Sequence, residues 1–383
     1  MPGWHKALKQ QIADDQVQLI GVIQEQHPDR CRLFAQWQKF DWPIVHDPVN
    51  VIATRAVPVV LAIDEHGVVQ SKRPRQNWVI NEFLKTDYPA PKAETVAPIQ
   101  LTTQQRQIIW GSAVYHRAER RAGPKPTINP AEFFDRAIGE TSDDATVAFA
   151  TGVAYRMRYE SNRRQPGDFE AAVAHWSRAL ELDPNHYIYR RRIQQYGPRL
   201  MKPYPFYDWV EQARTEIKER GETPVQLFVE PGGAEFAKPS RSFVGAVATT
   251  NPDPDGKITR DESKFVGISG VAVPTAVKPG STMRFHIELR PNKAAHWNNE
   301  ADPVQVWVNQ PDGWELSRDQ FSLKQPPQPE TSESRRLEFE VKAPKNAKPT
   351  KLQGFALYYV CEDEGGQCLY RRQDFELQIA VKD

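Results

Sequence analysis

The sequence is short of cysteine and of long apolar runs, and it has almost no excess charge. Three cysteines in 383 residues exclude a disulfide-dense scaffold. No apolar run approaches the roughly 20 residues of a membrane-spanning helix, so no span is expected in this chain. A net charge of +1 with 26% charged residues gives no global field toward nucleic acid or an anionic membrane. The start, Met1-Pro2-Gly3-Trp4-His5-Lys6, lacks the apolar core of a secretory signal. The nine histidines show no zinc spacing, and neither a phosphate loop nor a nucleophile elbow occurs. What is present is length enough for roughly two to four domains, each able to bury its own core.

Four segments are expected: 1–86, a Pro/Ala/Thr-rich linker over 87–106, a helical region over 107–222, and a β-patterned region over 223–383. In the first, Trp4, Leu8 and Ile12 at four-residue spacing predict an amphipathic helix over 4–14. Val17–Ile23 reads as a buried strand, Pro28–Phe40 as a helix with Leu33, Phe34 and Trp37 inward, and Pro43–Val45 as a short strand. A strand from Ala56 to Ile63, a turn over Asp64–Gly67, a returning strand and a helix over Trp78–Leu84 complete it. Cys31 is expected to be a small buried hydrophobe.

This order resembles the thioredoxin-like fold in its redoxin branch. The closest local match is Val57-Pro58 followed by Val59, Leu61, Ile63, Asp64 and Gly67. The resemblance implies that Pro58 is the family's cis-proline, with an ordinary trans proline opening a strand as the competing reading. The family's first strand and its Cys-x-x-Cys motif are missing, and that strand is central in the family's sheet. Either its two neighbours pair directly, or Met1 is an internal methionine of a longer protein, which is the favoured expectation. As it stands, this segment is not expected to carry out dithiol chemistry.

In the helical region Phe134, Ala137 and Ile138 match Trp176, Ala179 and Leu180 at an offset of 42, and Ala213 follows Ala179 by 34. Thirty-four is the tetratricopeptide period. Gly152, Tyr155, Ala172, Trp176, Ala179 and Pro184 resemble that repeat's large/small pattern, which implies two or three helical hairpins. Such arrays bind peptides or partner domains, and packing between neighbouring domains is the equal alternative. Tyr187, Tyr189, Arg190, Arg191, Arg192, Tyr196 and Arg199 mix aromatic and basic side chains. With no basic domain around them they read as a solvated helix face, and no nucleic acid is expected.

From Val225 onward, alternation of period two dominates. Met283, Phe285, Ile287 and Leu289 alternate with polar residues, as do Val304, Val306 and Val308, then Leu337, Phe339 and Val341, and finally Phe375, Leu377, Ile379 and Val381. Strands so patterned, separated by Pro/Gly/Asn turns, predict an antiparallel β-sandwich. Near the end, Cys361 and Cys368 bracket an acidic Gly-Gly turn between two β-runs, as in a hairpin. A bond between them closes so short a loop that it stabilises by at most about 3 kcal/mol. A redox role and a structural staple therefore both stand.

Lys278-Pro279-Gly280 before a strand, His296-Trp297, and the Tyr-Tyr-Val-Cys…Cys hairpin are similar to the N-terminal periplasmic domain of DsbD-type thiol–disulfide interchange reductases. The likeness covers roughly 240–383. It implies that Cys361 and Cys368 lie on adjacent strands and exchange electrons with a thioredoxin-like partner. Two departures stand out: the acidic Glu362-Asp363-Glu364, and Leu369-Tyr370-Arg371 in place of the family's aromatic-proline exit. Acidic neighbours raise a thiol's pKa, so a passive disulfide opened by a partner's thiolate fits better than an attacking thiol.

The stretch from Asn251 to Glu262 fits a calcium-loop template, with Asn251, Asp253, Asp255 and Glu262 at loop positions 1, 3, 5 and 12 and Gly256 at the sharp turn. Asn at position 1, prolines at 2 and 4 and strand-like flanks favour a polar turn instead. Calcium is the sole cofactor the pattern suggests. The expected whole is a multidomain thiol–disulfide relay of the bacterial cell envelope, exchanging with thioredoxin-like partners. The alternative is a non-catalytic interaction scaffold whose cysteines staple a hairpin.

Overall fold

A computed structural model describes residues 2–24, 28–55, 57–91, 100–119, 130–139, 142–161, 163–197, 209–227, 253–362 and 368–382. The chain divides into two compact units, 1–191 with 208–230, and 192–207 with 231–383. Helices and several β-sheets make it a mixed α/β protein.

In the first unit, α1 (Pro2–Ala7) and α2 (Lys9–Ala13) replace the single helix expected over 4–14. The break at Leu8 turns that residue into a core with Ala62, Val79 and Phe83. The strands are shorter than their apolar runs. β1 (Gly21–Ile23) pairs parallel with β2 (Ile44–His46), joined by α3 (Pro28–Trp37). β3 (Ala62–Ile63) pairs antiparallel with β4 (Val69–Ser71), followed by α4 (Gln76–Asn81). Among the described residues these ladders stay two-stranded, and β1 does not pair with β3. Of α3's expected inner face only Leu33 is fully buried. Phe34 and Trp37 are half-buried and pack on Trp209, at ring-centroid distances of 5.0 and 5.9 Å. Cys31 is half-buried too, not enclosed as expected, because Leu33 takes the sealed position of that helix.

The helices α5 (Thr103–Glu119), α6 (Pro130–Ala137), α7 (Ala145–Tyr159), α8 (Asp168–Leu182), α9 (Tyr187–Tyr196) and α10 (Val210–Glu219) follow. α5 packs on α6 and α7 on α8. The same device joins both hairpins: a glycine on the first helix lies beneath an aromatic ring on the second. A Cβ at Gly111 would come 2.6 Å from Phe134, and one at Gly152 would run into the indole of Trp176. Asp144 caps α7 by accepting from the amides of Thr146 and Val147.

The second unit is antiparallel β throughout its main ladders. One sheet orders β10 (Glu315–Leu316), β13 (Arg335–Lys342), β7 (Thr282–Pro291) and β5 (Val266–Val273). The other runs β11 (Gln320–Ser322), β9 (Gln305–Asn309), β14 (Thr350–Glu362), β15 (Cys368–Val381) and β6 (Ala276–Val277), with β8 (Ala295–Asn298) on β14 and β12 (Glu330–Thr331) on β8. Alternate residues of both sheets share one apolar core, including Phe285, Ile287, Phe339, Val306, Leu352, Tyr358 and Trp297. The period-two pattern of the sequence is thus the inward face of each strand.

Candidate functional site

The site is built on the longest ladder in the molecule. β14 and β15 pair without interruption from Thr350↔Ile379 to Cys361↔Cys368. Alternation fixes this register, because a slip by one residue would expose Leu352, Ala356, Tyr358 and Val360. The two cysteines form a disulfide at the end of the ladder, with their Cα atoms 4.0 Å apart. They differ in access: Cys361 is 3% exposed, whereas Cys368 is exposed. A nucleophile arriving from solvent therefore meets the sulfur of Cys368 first. Of the acidic neighbours, Glu362 is half-buried, and residues 363–367 lie outside the described residues.

The floor beneath the pair is closely packed. Val360 lies opposite Trp297 on β8, and Cys361 opposite His296. The Trp297 ring is fully buried, meets Tyr358 edge-on at 5.9 Å and donates from its Nε1 to the carbonyl of Glu333. The Tyr358 hydroxyl donates to Asp261 Oδ2 at 2.7 Å. Burial, then that hydrogen bond and the carboxylate's charge, push this phenol far above its ordinary pKa. On the face that carries the disulfide, Tyr359 and Tyr370 stack at 4.5 Å, one cross-strand step from the sulfurs. Burial, then Tyr359, Asp302 and Asp253, push the Tyr370 phenol up.

The segment with calcium-like spacing, from Asp253 to Glu262, is a strap along β15. Asp253 is buried and its carboxylate accepts from Arg372 Nη1 at 2.7 Å and from the amides of Lys257 and Ile258. Burial alone would raise this carboxyl, but the Arg372 hydrogen bond and the two amides hold it below the ordinary carboxylate range. The strap's backbone brackets Arg372, whose amide donates to Thr259 and whose carbonyl accepts from Asp261. Ile258 covers Trp307, Phe355 and Leu357. Asp255 pairs with Lys257, Glu262 is exposed, and Asn251 lies outside the described residues. Asp253 and Asp255 are thus engaged by different cations, and among the described residues no three His, Cys, Asp or Glu side chains gather as a metal site.

Pro58 is exposed in the first unit, and the Val57–Pro58 peptide is cis. A second cis bond, Val273–Pro274, ends β5. Two features of the site have little or no local sequence signal. The place of His296 beside Cys361 depends on the pairing of strands 65 residues apart, although the His-Trp pair on a β-run does mark the strand. Arg372, the partner of Asp253, is 119 residues away from it.

No family model matches the sequence, and no curated protein matches it. Among solved structures, the chain is similar to the yeast GGA1 GAE domain at 17% identity, over 30% of this chain and 94% of that one, with a TM-score of 0.20. It is similar to the N-terminal periplasmic domain of ScsB from Proteus mirabilis at 10% identity, over 34% of this chain and 49% of that one, TM-score 0.18. A putative membrane anchored protein from Corynebacterium diphtheriae gives 14% identity, 33% and 38% coverage and a TM-score of 0.19. Scores this low carry no weight for fold or function. Among the described residues no helix is long and apolar enough to cross a membrane.

Proposed function

We propose that this chain is a thiol–disulfide exchange protein in which Cys361–Cys368 is the exchangeable pair. The observation that carries the reading is the unequal access of two bonded sulfurs at the end of a ladder that does not need them. Hydrogen bonds and apolar burial already hold β14 on β15 over its whole length, so a short-loop bond adds little, about 2 kcal/mol. An exposed Cys368 beside a sealed Cys361 instead offers one sulfur to an incoming thiolate and keeps the leaving one protected.

The exchange follows directly. A partner thiolate attacks Cys368 Sγ, an intermolecular disulfide forms, and the Cys361–Cys368 bond breaks with its electron pair left on Cys361 Sγ. The partner's second thiol then resolves the mixed disulfide and releases Cys368. The partner dithiol is oxidised and this pair is reduced. A dithiol protein of thioredoxin type is the proposed partner, and an oxidising compartment of the cell envelope the proposed location.

The finer architecture belongs to the same proposal. A thioredoxin-like first segment is supported by the β1–α3–β2 crossover with parallel strands. Tetratricopeptide-like hairpins are supported by the glycine-under-aromatic packing repeated at Phe134 and Trp176. A DsbD-like sandwich is supported by two sheets around one core with the cysteine hairpin at the end of its longest ladder.

The reduction potential of the pair tests the function. Equilibration of the full chain with defined glutathione or thioredoxin couples, read by thiol trapping, is expected to give a value more oxidising than about −300 mV. A value below that marks a structural bridge, and the chain is then an interaction scaffold.

A further inference from the structure

Three neighbouring strands carry Cys368, Cys361 and His296 in one cross-strand row. Cys361↔Cys368 pairs β14 with β15, and Cys361↔His296 pairs β14 with β8. Directly opposed residues of antiparallel strands point to the same face, with Cβ atoms roughly 4.5–5.5 Å apart. Cys361 is therefore flanked on one side by the sulfur it bonds and on the other by an imidazole. The His296 side chain is mostly enclosed, at 16% exposure, and its Nε2 lies 3.4 Å from Glu330 Oε2 on β12. Glu330 itself is open to solvent. Trp297 beside it faces the core, so His296 lies on the opposite face of β8, the face that carries Cys361.

Resting on the exchange reaction proposed above, the geometry points to His296 as the acid that serves Cys361. When a partner thiolate opens the bond at Cys368, Cys361 Sγ leaves as a thiolate at a site that excludes water. Burial raises the cost of that charge. A proton passed from the His296 imidazolium to Cys361 Sγ removes the charge as it forms, leaving a neutral thiol and a neutral imidazole. Glu330 holds the imidazolium before transfer. In the reverse, oxidising direction His296 takes the proton back as Cys361 attacks. Across the sheet His296 is met by Cys361 from β14 and by Glu330 from β12, with Glu362 one position further along β14.

The test is the rate at which dithiothreitol, and then reduced thioredoxin, opens the disulfide in the full chain, measured from pH 5 to 9 for wild type, H296Q and H296N. General acid assistance is typically worth 10²–10⁴-fold; with an already good thiolate leaving group, a loss of about tenfold or more is expected at pH 6. The profile is the more telling readout. The wild-type rate rises less steeply with pH than that of either variant, because a general acid is lost as the reductant's thiolate is gained. Both variants keep rising about tenfold per pH unit for as long as the pH lies below the attacking thiol's pKa. E330Q is expected to show a smaller loss with the wild-type profile shape. A wild type that exchanges readily while H296Q and H296N match it at every pH overturns the role of His296 and leaves the exchange function standing. A wild type that neither reductant opens overturns both.

Discussion

The ladders of the first unit and those of the second are built from the same Val/Ile/Leu-rich runs and reach opposite ends. In the second unit, alternate residues of both sheets close on a single core. In the first, among the described residues, β1–β2 and β3–β4 are two-stranded, and each keeps some apolar residues in solvent. Val22 and Val45, a registered pair, are 42% and 51% exposed, and Val57, Val59, Leu61 and Ile63 form a second open row. Their alternates behave normally, since Ala62 packs with Leu8, Val79 and Phe83. Parallel strands are otherwise found with both faces covered. The difference teaches that apolar alternation makes a strand, but only a second layer makes a stable sheet. The Cys361–Cys368 hairpin has the second kind of support.

The sharpest way to break this comparison is to truncate one apolar residue in each region. Phe339→Ala removes a ring that is 3% exposed and stacked on Phe285, and it is expected to cost about 3–5 kcal/mol. Leu61→Ala, in the open row, is expected to stay within about 0.5 kcal/mol. Because the units need not unfold together, the readout is amide hydrogen exchange on peptides from β13 and from β3 separately. Equal losses at the two sites would mean that β3's outer row is covered in solution, and the contrast between the regions would fail.

A second substitution asks whether the weakness of the first unit is confined to its ladders. Gly152→Ala places a methyl group against the Trp176 indole and 3.1 Å from the carbonyl of Ala172. Overpacking of that kind costs about 1–3 kcal/mol, against a gain of about 1 kcal/mol from helix propensity. Net destabilisation of α7 and α8 is expected, read as faster exchange in those helices alone. A stabilised variant would show that the helical hairpin is as loosely packed as the neighbouring ladders.

What was legible in the sequence follows the range of the forces involved. The cysteine hairpin is local: two β-runs, a Gly-Gly turn, and sulfurs seven residues apart. The glycine beneath Trp176 is also close in sequence, so the small-large pattern revealed the helical pair before the structure did. Strand lengths in the first unit were overestimated. An apolar run such as Val17–Ile23 says what would be buried if a sheet were there, whereas the ladder forms only over Gly21–Ile23, where β2 supplies partners. The segment 251–262, read as a polar turn with calcium-like spacing, was legible only in part for a related reason. Its carboxylates have calcium spacing, yet the destination of Asp253 is decided by Arg372, 119 residues later. Spacing within a loop cannot reveal a distant cation. His296 lay in the same blind spot, visible as a residue but not as the neighbour of Cys361.

The strap offers the gentlest test of the contrast, because it ties β15 down with an ion pair to Arg372, whereas the Asp64 carboxylate at the β3–β4 turn accepts from two amides and from the neutral Gln70. The Asp253 carboxyl sits below its ordinary range in the folded protein, held there against its burial by Arg372 and two amides. Its folded pKa is depressed relative to the unfolded chain, so its stabilisation is fully present above the unfolded value near pH 4. That stabilisation is lost as pH falls through the lower, folded value. Near neutral pH, Asp253→Asn is expected to speed exchange at the Ile258 and Arg372 amides, and below pH 4 the variant and the wild type are expected to converge. β3 and β4 should show no change on the same substitution at any pH. A wild-type strap that loosens well above pH 4 would mean that a different group holds it. Protection at Arg372 untouched by the substitution would mean that the backbone bonds to Thr259 and Asp261 suffice without the ion pair.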